Sequence, residues 1–274
     1  MNDNWMELFL DQNGFLVSGT KSLALRFGLT GETRPSLRFV AWSHVSSPKA
    51  IFFLVVERIH PSKALKVADK LENHPIYTAL ENLLQPMHLL LTLNDGRFFL
   101  GAHMTPDELA RWFYQIEPAL LQHIGTSKET NRRESQRKGD LFRTFTRKHL
   151  SRFCISNDID ALRLPQAKSQ RPLLLELKKP NAPIERWKPY IDDCANYMYL
   201  QTIAQQRNID FRVIAYNLNQ TNRVQLILNA ICDQPNRLAT RIDYEAILVN
   251  PHNAIGSIPQ PLKPKRSYRR RQIT

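Results

Sequence analysis

Several things are scarce in this chain of 274 residues. It has three cysteines, Cys154, Cys194 and Cys232, odd in number and widely spaced. No CxxC pair suggests a zinc site, and such spacing argues against a disulfide framework. A reducing compartment fits this usage best. The longest apolar run, Ala50 to Val56, falls far short of the roughly 20 residues that cross a bilayer. The opening Met1-Asn2-Asp3-Asn4-Trp5 has neither a basic n-region nor an apolar h-region of the secretory kind. The expectation is a cytoplasmic protein with no membrane partner. His44, His60, His74, His88, His103 and His123 are scattered without ligand spacing, as ordinary surface or core histidines would be.

Acids are scarce relative to bases. Twenty-five Asp and Glu face 38 Lys and Arg, a net charge of +13, with a pI near 9.9. Such an excess favours a polyanionic partner, because neutralising phosphates releases their counterions. An apolar fraction of 42% is enough for a core, and the length suits one large domain or two ordinary ones.

A phosphate-binding loop is also missing. Gly14-Phe15-Leu16-Val17-Ser18-Gly19-Thr20-Lys21-Ser22 looks like one, but has one residue too many between its second glycine and its lysine. Bulky Phe15, Leu16 and Val17 suit a strand better.

Residues 1–125 read as a mixed α/β domain that selects substrate or binds a partner. Ser36 to Trp42 and Ala50 to Val56 are strand candidates. Ser62 to Leu84 suggests two short helices broken at Pro75. Asn94-Asp95-Gly96 between Leu89–Leu93 and Phe98–Leu100 signals a hairpin. Thr105-Pro106-Asp107-Glu108 starts a helix that should run to about His123. The composition then turns polar, which places the boundary near 126. From Lys128 to Arg152, nine Lys and Arg oppose three acids, with Leu141, Phe142, Phe145 and Leu150 as an apolar stripe. Such a basic amphipathic helix is either a solvated face or a guide for a nucleic-acid backbone, and Arg132, Arg133, Arg137 and Lys138 are the candidate contacts. Pro189 to Gln206 reads as a helix, and Ile209–Tyr216 and Val224–Leu228 as strands. Past Pro251 the chain should be a disordered basic tail. Its last stretch, Pro261 to Thr274, holds six Lys and Arg and no acid. There Lys265, Arg266, Arg269, Arg270 and Arg271 would bind phosphates without reading sequence.

The chemistry concentrates in Ser156-Asn157-Asp158-Ile159-Asp160-Ala161-Leu162-Arg163-Leu164 and Pro172-Leu173-Leu174-Leu175-Glu176-Leu177-Lys178. Side chains alternate along a strand, so Asp158 and Asp160 share one face, and Glu176 and Lys178 share one face of the next. A hairpin turning near 168 and 169 puts Asp160 opposite about Leu177, so Asp160, Glu176 and Lys178 converge. Two carboxylates suit Mg²⁺, which keeps several waters and takes substrate phosphate directly. A glutamate and a lysine inside an apolar run are costly to bury unless paired or metal-bound.

Asp160, then Glu176-Leu177-Lys178, then a helix and a strand, resembles the PD-(D/E)xK nuclease superfamily over about residues 130–216. The resemblance implies a restriction-endonuclease-like mixed sheet flanked by helices over 126–250, the second of two α/β domains. It also implies hydrolysis of phosphodiester bonds, most simply by a DNA endonuclease of restriction, recombination, transposition or phage defence. Asp160 and Glu176 would bind Mg²⁺, with Mn²⁺ able to substitute, and Lys178 would assist hydrolysis. Asp158 is an accessory acid, and Ile159 stands where many members have proline. Glu134, with Glu129 in reserve, corresponds to a glutamate on the preceding helix, and Gln201 or Tyr197 to a polar residue on the following one. The run from Lys178 to Ala215 also looks like the nuclease subunit of Tn7-type transposases. A homodimer or a heteromeric partner is compatible with these readings. The alternative is a non-catalytic nucleic-acid-binding or assembly protein with a decayed or coincidental motif.

Overall fold

The computed structural model describes residues 4–30, 33–43, 47–118, 140–150, 154–167, 170–232, 241–256 and 265–269, with backbone alone for 228–231 and 265–269. Among these residues the chain is mixed α/β, with eight α-helices and two mixed sheets. In chain order the elements are α1 (Trp5–Gln12), β1 (Phe15–Val17), α2 (Lys21–Arg26), β2 (Ser36–Trp42), β3 (Lys49–Ile59), α3 (Ala64–Glu72), α4 (Pro75–Leu83), β4 (Met87–Leu93), β5 (Phe98–Leu100), β6 (Ala102–Met104) and α5 (Pro106–Ile116). There follow α6 (Leu141–His149), β7 (Ile155–Ile159), β8 (Ala161–Arg163), β9 (Leu173–Lys178), α7 (Cys194–Gln206), β10 (Asp210–Asn217), β11 (Gln220–Cys232), β12 (Arg241–Val249), α8 (Pro251–Ile255) and β13 (Lys265–Arg269). No described helix is long and apolar enough to cross a membrane.

Local signals account for much of this. Asp95 and Gly96 turn β4 into β5, Gly96 taking the positive φ of 85° that a side chain would resist. Thr105 and Glu108 form the capping box of α5, behind Pro106. Pro75 starts α4 and separates it from α3. In the P-loop look-alike, Phe15–Val17 is a strand, and Thr20 caps α2 by accepting from Leu23 N at 3.2 Å. Lys21 is thus the first residue of a helix, and no glycine-rich cradle lies before it.

The chain divides into two compact units, one of Met1–Val17, Val45–Pro48 and Ile159–Thr274, the other of Ser18–His44 and Lys49–Asp158. This differs from the expected boundary near 125. The physical reason is strand pairing, since β1 pairs antiparallel with β8 and β7 joins β2, connections that no local composition announces.

One unit has the sheet β6-β5-β4-β3-β2-β7, in which β2–β3 is antiparallel and β3–β4 parallel. Its core gathers Val40, Phe53, Leu90, Phe98 and Phe113 with Phe142 and Phe145 of α6, so the apolar stripe of the basic helix is packed. Buried beside them, Arg38 donates to Asp140 Oδ1 at 2.7 Å and Glu57 Oε1 at 3.2 Å, and lies 3.0 Å from Asp158 Oδ1. Burial alone would lower the pKa of this guanidinium, but the three carboxylates outweigh it and push it up.

The other unit has the sheet β1-β8-β9-β10-β11-β12-β13. All neighbours are antiparallel except β9 and β10, which run parallel and are joined through α7. One face packs on Met6, Leu10, Leu173, Leu175, Ile214 and Leu226, the other on Trp187, Cys194, Tyr197, Val213 and Ile227. Within the stretch expected to be a disordered tail, Pro251–Ile255 form α8 and Lys265–Arg269 form β13, which pairs along β12 with Tyr244 opposite Arg266. Its backbone takes up donors and acceptors that β12 would otherwise expose at an edge. Cys194 and Cys232 form a disulfide, against the expectation from their spacing, because α7 and the end of β11 bring them together.

Candidate active site

Three consecutive buried leucines open β9, and the strand lies between β8 and β10. A strand covered on both faces reads as an apolar run, so Glu176 and Lys178 enter a core-like position. Glu176 is only 3% exposed. A buried carboxylate must be paired or hydrogen-bonded, and Glu176 is both. Lys178 Nζ lies 2.9 Å from its Oε1, and Asn196 Nδ2 donates to the same oxygen at 2.9 Å.

Lys178 also reaches Asp193 Oδ2 at 2.9 Å and sits 5.3 Å above the Tyr197 ring. Burial alone would lower the pKa of this ammonium, but Glu176, Tyr197 and Asp193 outweigh it and raise it, so Lys178 is a cation across the physiological range. Burial also pushes the Tyr197 phenol well above its ordinary value, and its hydroxyl donates to Asp193 Oδ2 at 3.4 Å.

Asp160 stands between β7 and β8, where the chain leaves one sheet for the other. The β8–β9 ladder pairs Ala161 with Leu175, so Asp160 lies just beyond its end, and the contact the structure shows for it there is with Leu177, the expected neighbour. Asp160 Oδ2 accepts from Leu177 N at 2.7 Å, which ties the carboxylate to the strand that carries Glu176 and Lys178.

The other predicted residues part company. Asp158 does not share the face of Asp160. The chain changes sheets between them, and Asp158 pairs with Arg38 in the six-stranded unit. Gln201 lies on α7 one turn beyond Tyr197, while the helix residue that reaches Glu176 is Asn196. Glu129, Glu134, Arg132, Arg133, Arg137, Lys138, Arg270 and Arg271 lie outside the described residues. Lys265, Arg266 and Arg269 lie on β13. Asp193 and Asn196 were missed by the sequence reading. Their signal was an acid three residues before an amide at the start of a helix that follows the lysine.

Among the described residues, no group of three or more His, Cys, Asp or Glu could hold a metal ion. The carboxylates of Glu176 and Asp193 share Lys178, and that of Asp160 accepts from the backbone of Leu177, which lies between Glu176 and Lys178 in sequence. Comparisons with family models, curated proteins and solved structures return no significant match.

Proposed function

We propose that the chain is a metal-dependent nuclease of the PD-(D/E)xK kind, hydrolysing phosphodiester bonds in DNA, with the restriction-endonuclease-like fold in its seven-stranded unit. The observation that supports this reading is the hydrogen bond from Leu177 N to Asp160 Oδ2, which ties Asp160 to the strand that carries the Glu176–Lys178 ion pair. The parallel β9–β10 pair joined through α7 agrees with the strand–helix–strand order of the resemblance. The six-stranded unit would select the substrate or bind a partner.

Two carboxylates fit Mg²⁺ or Mn²⁺, because such ions are commonly held by one or two protein carboxylates with water and substrate phosphate completing the shell. Asp160 and Glu176 would hold the ion, which when bound lowers the pKa of a coordinated water and stabilises negative charge on phosphate oxygens. Lys178 acts as a fixed cation rather than a proton acceptor, since its neighbours keep it protonated. From that position it orients the attacking water and offsets charge gathering on the phosphate. Asp193 aims the ammonium by a second ion pair, and Asn196 fixes the Glu176 carboxylate.

A second reading, nucleic-acid binding without cleavage, is favoured by one observation: Glu176 Oε1 already receives both Lys178 and Asn196. Supercoiled plasmid with Mg²⁺ separates the two. The nuclease reading expects nicking by wild type and its loss in Asp160→Asn and Lys178→Ala. Equal nicking by all three, or DNA binding without nicking in any, would refute it.

A further inference from the structure

We propose that the segment joining β9 to α7 is a nucleic-acid-binding lip, gripping the strand next to the reacting phosphate and stacking an unpaired base on Tyr190. The inference rests on the nuclease reading above and names how its substrate would be held.

Residues 179–190 connect the two sides of the site. Lys179 follows Lys178 directly, and Tyr190 precedes Asp193 by three residues, so its Cα is at most about 11 Å from that of Asp193. The segment is tied to residues of β10 and β11. Asn217 Nδ2 donates to the carbonyls of Pro180 and Ala182 at 3.3 and 3.2 Å. Ile184 N donates to Gln220 Oε1 at 3.4 Å, and Gln220 Nε2 to Glu185 Oε1 at 3.3 Å. The buried Gln225 amide, in the orientation that satisfies its neighbours, donates to the carbonyls of Trp187 and Ile184 at 3.2 and 3.0 Å. Ile184 and Trp187 point into the core.

Lys179, Arg186, Lys188 and Tyr190 of this segment are exposed. Three cations stand against one acid, Glu185, whose carboxylate accepts from Gln220; exposed Asp192 lies just beyond the segment. Tyr190 is 51% exposed, and its ring meets that of Trp187 edge-on at 6.0 Å, which braces it. An exposed, braced aromatic in a segment that carries three exposed cations and runs from Lys178 to Asp193 matches single-strand recognition, where the cations track the backbone and the ring stacks on a base.

The test is fluorescence anisotropy of a labelled single-stranded oligonucleotide in EDTA, so that binding is read without cleavage. Replacing Lys179, Arg186 and Lys188 together by alanine should flatten the slope of log affinity against log salt by about 2. Tyr190→Ala should weaken single-strand binding by about five-fold or more, and Tyr190→Phe should stay within about two-fold of wild type, because phenylalanine keeps the stacking face. Fully paired duplex should bind Tyr190→Ala about as it binds wild type. Unchanged affinity and salt slope in these variants, with far-UV circular dichroism unaltered, overturns the lip. The outcomes separate from those of the nuclease reading. If wild type never cleaves but the lip variants lose binding, the lip stands and catalysis falls. If wild type cleaves and the lip variants bind and cut as it does, catalysis stands and the lip falls.

Discussion

Replacing Lys178 by methionine keeps the volume of the stem and removes its charge. In the native chain Lys178 faces Glu176 and Asp193, and Glu176 is almost wholly buried. Removing one partner of a buried pair leaves an uncompensated charge, which costs about 3–5 kcal/mol. The Asn196 amide remains on Glu176 and moderates the loss, so about 3 kcal/mol is expected near pH 8. The sign with pH follows from linkage. In wild type the raised pKa of Lys178 gives a contribution fully present below its unfolded pKa of about 10.4 and lost only as pH rises through the folded value. In Lys178→Met the orphaned Glu176 is better tolerated neutral, so acidification from pH 8 to 5 should relieve the penalty. Glu176→Gln/Lys178→Met should recover much of it at every pH. Amide hydrogen exchange along β9 and β10 reads this unit directly. A loss below about 1 kcal/mol, or one independent of pH, would refute the buried-pair argument.

Other outcomes follow from the same physics. Arg38→Met should destabilise the six-stranded unit by about 3–5 kcal/mol near neutral pH, leaving Glu57, Asp140 and Asp158 together; mild acid should soften the effect, as followed by urea unfolding. Asp140 is held below the ordinary carboxylate range despite a burial penalty, chiefly by its hydrogen bond to Arg38. Its contribution is therefore present above about pH 3.9 and lost as pH falls through the folded value; Asp140→Asn should flatten the acid limb of the stability curve. The Cys194–Cys232 disulfide closes 38 residues, a loop worth about 4 kcal/mol in the chain-entropy account. Denatured, unreduced protein should titrate one thiol, and Cys194→Ser/Cys232→Ser should unfold at a markedly lower temperature. Three titrating thiols would contradict that pairing.

Much of the local structure was legible because its causes are local. The Asp95-Gly96 hairpin, the Thr105 capping box and the break at Pro75 each depend on a few adjacent residues, and each appears where the sequence places it. The apolar run that holds Glu176 is likewise a strand, and it lies between two others. What was not legible depends on distant pairing. Asp158 and Asp160 look equivalent by alternation, yet the chain passes from one sheet to the other between them, and Asp158 goes to Arg38. That β1 belongs beside β8, or β13 beside β12, is decided by edges that only the assembled sheet presents. Asp193 and Asn196 were hidden for a similar reason, because they act on β9 only once α7 has crossed back over the sheet.

The most direct test of the central claim is the anomalous density of a Mn²⁺-soaked crystal. The account predicts a peak at about 2 Å from carboxylate oxygens of both Asp160 and Glu176, absent from an Asp160→Asn crystal soaked alike. A peak elsewhere, or none beside a site still closed by Lys178, would contradict it.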